Sequence, residues 1–167
     1  MVDLMSLAEQ VDKDFSVARR RAMIRRLRAM FSGRAGSGVL LDFHEVRRRI
    51  GASGGFQRGR CAVRVSRIVG GAGKCGQFDE RFMPLRGASA ERWKRIDRAL
   101  RLGVELPPVS LYRLGGGYFV QDGHHRVSVS RFHGAEWMDA EVTEFRSLKT
   151  LSAAPARNYL PSGAATT

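Results

Sequence analysis

The sequence predicts an α+β protein: a small mixed β-sheet with helices packed on it, preceded by a basic helical N-terminal extension. Three observations lead there. Apolar residues recur at helical spacing near the N-terminus and again around Trp93; two β-rich runs flank the glycines at 115–117; and the second half alternates strand, helix, strand, strand, a polar junction, and strand. At 167 residues the chain suits one domain of ordinary size plus an extension. The expected division is an extension over residues 1–60, the main domain over 61–146, and a flexible tail over 147–167 rich in Pro, Gly, Ala and Thr.

Taken in order, residues 11–31 place Val11, Phe15, Ala18, Ala22, Met23, Leu27 and Met30 at spacings of three and four, which makes one apolar helix face. Arg19, Arg20, Arg25 and Arg26 are among the arginines that cover the rest. Residues 32–38 (SGRAGSG) read as a turn. A short helix follows, with Asp42 as N-cap, Glu45 at the capping-box position and Gly51 as its stop. Residues 51–60 (GASGGFQRGR) read as a loop, and 60–70 (RCAVRVSRIVG) as a strand. Ser89 caps a third helix that buries Trp93, Ile96 and Leu100 and stops at Gly103. Two strands then form a hairpin across residues 106–123, and a last strand occupies 136–145.

Composition narrows the function classes. No stretch approaches the roughly 18 apolar residues of a membrane span, and the acid-bearing N-terminus lacks the pattern of a secretory signal, so a cytoplasmic location without membrane contact is expected. Cys61 and Cys75 are too few for a disulfide framework and lack Cys-x-x-Cys spacing. The formal charge of +13 favours nucleic acid or anionic nucleotides as partners. Nearly all the basic residues are arginine, however, and an Arg-rich genome would produce the same excess without selection for phosphate. DNA or RNA contact is expected on Arg19, Arg20, Arg25 and Arg26. The oligomeric state is left open, a homodimer included.

The densest chemistry lies in Asp122-Gly123-His124-His125-Arg126. Val127, Ser128, Val129 and Ser130 alternate like a strand, yet a strand end, a turn glycine and a stop at Gly134 also describe a strand-to-helix junction. Such a junction offers free N–H groups and the positive end of a helix dipole to an anion. A zinc site is disfavoured, because adjacent histidines diverge on either element, and no metal site of the protein's own is expected. The GGAGKCG stretch lacks Walker spacing, since Cys75 follows the lysine, although Lys74 or Arg81 would lend charge to a pocket wall.

Residues 106–145, with their Asp-Gly-His-His-Arg motif, resemble the ParB/sulfiredoxin superfamily, and the resemblance extends back to about residue 62. In that superfamily a hairpin leads into a Gly-x-x-Arg or Gly-x-His-Arg motif at a helix start, which binds the triphosphate of CTP or the phosphates of ATP. The resemblance implies nucleoside triphosphate contacts at Gly123, His124, His125 and Arg126, with Asp122 orienting a hydroxyl or a Mg2+-bound water. The departures also matter. Sulfiredoxins need a cysteine where His124 stands. Partition-type ParB proteins carry a helix-turn-helix domain after this one, whereas about 20 residues follow Phe145 here. Free-serine kinases, the phosphotransferase alternative, carry a His-Glu base in the first loop, for which only Asp79 or Glu80 stands in here. The expectation is a nucleotide-binding domain in a DNA- or RNA-associated role. The alternatives are a small-molecule phosphotransferase using Asp79 or Asp122 as base, and a nucleic-acid module indifferent to nucleotide.

Overall fold

The structure is a computed structural model and describes residues 4–32, 38 and 40–147. Helix α1 (Leu4–Phe31) starts earlier than its apolar spacing predicts. Only the first part of the predicted stripe is covered: Val11, Phe15, Ala18 and Ala22 are buried, whereas Met23, Leu27 and Met30 are exposed. Strand β1 (Leu41–Asp42) runs directly into α2 (Phe43–Ile50), whose cap is as the sequence predicts, Asp42 accepting from the Glu45 amide at 2.9 Å.

The stretch expected as a loop before residue 61 is instead the beginning of β2 (Ala52–Arg64). Its side chains are exposed along nearly the whole length, so no buried face imposes an alternation that the sequence could display. What makes it a strand is pairing: it runs antiparallel to β6 (Trp137–Ser147) from Ala52 opposite Ser147 to Arg64 opposite Trp137, with two register shifts. A 3-10 turn at Val65–Arg67 divides the single strand expected at 60–70, and β3 (Ile68–Gly71) follows it. Then come α3 (Ala90–Arg101), the hairpin β4 (Val109–Leu114) and β5 (Gly117–Asp122), and α4 (His124–Phe132).

The protein is of the α+β class, with a six-stranded mixed sheet in the order β1-β3-β5-β4-β6-β2. The segment 1–60 thus supplies one whole edge strand and most of the other. On one face α2 packs Phe43 and Ile50 against Leu114 and Phe119. On the other, Val127 of α4 joins Ile68, Leu111, Val120 and Val142 from the strands. Outside that layer α1 sets Phe15, Ala18 and Ala22 on Trp93 and Val129. The helical state of residues 127–130 follows from this burial: all four are buried, and the Trp93 indole donates to the Ser128 hydroxyl at 2.9 Å, which satisfies a polar group inside the helix layer. No helix among the described residues is long and apolar enough to cross a membrane. Most of the turn expected at 32–38 and nearly all of the tail expected at 147–167 lie outside the described residues.

Candidate functional site

Strand β5 ends and α4 begins within two residues, and Gly123 makes that junction possible. It sits at φ 100°, and a Cβ there would lie 2.6 Å from Val109 Cγ1. Because the N-cap is glycine, no side chain caps α4, so its first-turn amides are free to meet an anion. Opposite, β3 delivers Gly71, where a Cβ would lie 2.6 Å from His124 Nε2. The two glycines let the β3 loop and the β5–α4 junction close on each other around the histidines.

Both histidines are buried, packed against Phe78 in ring contacts 6.1 and 5.1 Å between centroids. Burial pushes the His124 imidazole down to about 4, with Lys74 reinforcing it and Asp122 opposing. Burial likewise takes His125 to about 4, helped by Lys74, Arg92 and His124. Both rings are therefore neutral at pH 7, each with one N–H donor and one acceptor nitrogen. His125 Nδ1 is buried without a hydrogen-bond partner among the described residues, while His124 packs its Nε2 against the β3 loop, where the Gly73 backbone opposes the lowering of its pKa. Buried polar nitrogens left without a partner are costly.

These groups face a cleft of about 350 Å³. Lys74, Arg92, Arg95 and Arg126 line it together with Asp122, its one carboxylate. Four cations, two neutral imidazoles and an uncapped helix N-terminus make a surface complementary to a polyanion.

The predicted residues fall in different places. Gly123, His124, His125, Arg126 and Asp122 meet at the cleft, and Lys74 joins them from its loop. Arg126 is already engaged: it donates to the Pro107 and Pro108 carbonyls at 2.6 and 2.8 Å and to Asp122 at 2.6 Å, tying the start of the hairpin to α4. Its Nε–H and one Nη2–H remain for a ligand. Asp79 does not line the cleft. It is 2% exposed and accepts from Arg25 Nε and Nη2 at 2.7 and 2.5 Å and from the Arg81 and Met83 amides at 2.9 and 2.8 Å. A carboxylate so engaged is a poor candidate base. The same ion pair withdraws Arg25 from the set expected to meet nucleic acid, while Arg19, Arg20 and Arg26 stay exposed. Arg92 and Arg95 escape sequence reasoning. They lie three apart on α3, which shows them to be neighbours on one helix face, but only the tertiary fold turns that face toward Gly123.

No family model and no curated protein matches the chain. A solved structure described as a Pnob8-like ParB-N domain is similar at 14% identity and a TM-score of 0.38, over 56% of this chain and 32% of that one. The chain thus matches about a third of the length of that protein.

Proposed function

We propose that the cleft at the start of α4 binds a nucleoside triphosphate through its phosphates, and that the protein works beside DNA or RNA. The observation that carries this is the uncapped N-terminus of α4, flanked by two buried imidazoles, at a cleft lined by Lys74, Arg92 and Arg95. In this reading the α4 amides and the imidazole N–H groups donate to phosphate oxygens, Lys74 and the α3 arginines neutralise charge, and Arg126 holds the hairpin against the site. Asp122, exposed on its free side, suits one protein ligand of a Mg2+ that takes its others from water and phosphate. The resemblance of residues 62–145 to nucleotide-binding ParB-type domains points the same way. The phosphotransferase reading draws less support, because Asp79 is withdrawn and Asp122 is paired with Arg126.

The test is calorimetric titration with ATP, CTP and GTP in magnesium. One of the three is expected to bind, and Lys74→Ala with Arg92→Ala should weaken it by about 10-fold each, since a charge-assisted hydrogen bond contributes about 1.5–3 kcal/mol. Neither side chain has a salt-bridge partner among the described residues, so folding should survive their loss. Unchanged affinity in the double variant, or no binding of any of the three, would overturn the assignment.

A further inference from the structure

A second cleft, of about 330 Å³, opens beside the other end of α4, where Arg21, Arg25, Arg81 and Arg131 converge over Ser66 and Ala135. We propose that it is a separate binding site for a phosphate-class oxyanion, independent of the nucleotide reading.

The charge count is the first argument. Asp79 neutralises Arg25, and its remaining capacity goes to the amides of Arg81 and Met83. Arg21, Arg81 and Arg131 are left with no carboxylate partner among the described residues. Arg131 feels only the pull of Asp79, a carboxylate already paired with Arg25, and three guanidiniums so poorly compensated at one cleft repel one another unless an anion joins them.

The second argument is preorganisation. Arg131 is held by the Val65 and Ile68 carbonyls, to which its Nη2 donates at 2.8 and 2.5 Å, and its guanidinium lies 5.1 Å from the Phe82 ring centre. Arg21 lies over the Phe132 ring at 5.2 Å. Two of the three cations are therefore fixed before any ligand arrives, which lowers the entropy lost on binding.

The third is an orphan donor. Arg131 Nε is buried without a partner. Burial pushes this guanidinium down to about 10, with Arg81 lowering it further against the pull of Asp79, as expected for a cation short of negative charge. It still carries full charge at pH 7. At the end of α4 the Val129, Ser130 and Arg131 carbonyls accept from the His133, Ala135 and Gly134 amides, so their hydrogen-bonding capacity is directed within the chain.

The ligand's phosphate could be free inorganic phosphate or a nucleic-acid phosphodiester, and two titrations of the full chain separate them. In the first, inorganic phosphate is added while the arginine Nε–H resonances are followed by NMR, Arg131→Lys identifying the buried one. In the second, a 20-base-pair duplex is titrated by fluorescence anisotropy at several salt concentrations. If free phosphate is the ligand, the Arg131 signal shifts and saturates, and Arg81→Ala weakens the binding about 10-fold. If the ligand is a phosphodiester, Arg81→Ala and Arg21→Ala each lower the slope of log affinity against log salt by about 1. Lys74→Ala, in the other cleft, should change neither result. Should Arg131→Lys fail to fold, the exposed Arg81 variant reads the same site. The proposal is overturned if neither titration responds to Arg81→Ala and Arg21→Ala, or if Lys74→Ala abolishes the response.

Discussion

Asp79→Ala is expected to cost about 3–5 kcal/mol of stability, the range for removing one partner of a buried ion pair. It should leave nucleotide affinity within about twofold, as for sites that share no partner. The carboxylate binds α1 to the turn at residues 79–83 through both Arg25 contacts, and it fixes that turn through two amides. The turn contains Phe82 at φ 61°, a conformation a bulky residue adopts only when its surroundings impose it, and Phe82 is fully buried. Removing the carboxylate releases that turn, strands Arg25, and deprives Arg131 of the one carboxylate that favours its charge. Set against the roughly 5–15 kcal/mol of a whole domain, the loss is large. Urea unfolding reads it as a lower midpoint, with Asp79→Asn intermediate because its amide oxygen can still accept from the turn. A wild-type midpoint in the alanine variant would refute the structural role. Loss of nucleotide turnover at unchanged stability would restore Asp79 as a base.

That contrast also shows what the sequence could and could not express. The helix around Trp93, its Ser89 cap, the hairpin across the glycines and the junction at Gly123 were legible, because each is encoded by local spacing and by residues with special backbone demands. Strand β2 was not, since its order comes from pairing with a strand some eighty residues away and it buries almost nothing of its own. The site divided in the same way. The motif residues are contiguous and could be found together, whereas Arg92 and Arg95 reach the cleft only through the packing of α3 on α4. Asp79 shows the complementary limit: an acidic residue in the right loop reads as a candidate base, and only the fold shows Arg25, from a helix 54 positions earlier, holding it.

The two buried histidines supply the other large effect, and they give stability and binding opposite dependences on pH. In the unfolded chain each takes up a proton near 6.5; in the folded protein burial, reinforced by Lys74, delays this to about 4. Between those values the unfolded state holds more protons, so stability rises with pH: it is complete above about 6.5 and is lost as pH falls toward 4. At about 1.4 kcal/mol per pKa unit, discounted for solvent on the cleft side, the pair should cost on the order of 3 kcal/mol between pH 7.5 and 5. A triphosphate in the cleft reverses the balance, because its charge favours the protonated imidazoles. Nucleotide affinity should therefore increase over the same interval in which the unliganded protein weakens. General acid destabilisation cannot produce that divergence, and His124→Gln with His125→Gln should remove both trends together. Urea midpoints and calorimetric affinities at pH 7.5, 6.5 and 5.5 would decide it. Parallel decline of stability and affinity in the wild type, or the same pH dependence in the double variant, would mean that the imidazoles do not face the phosphates.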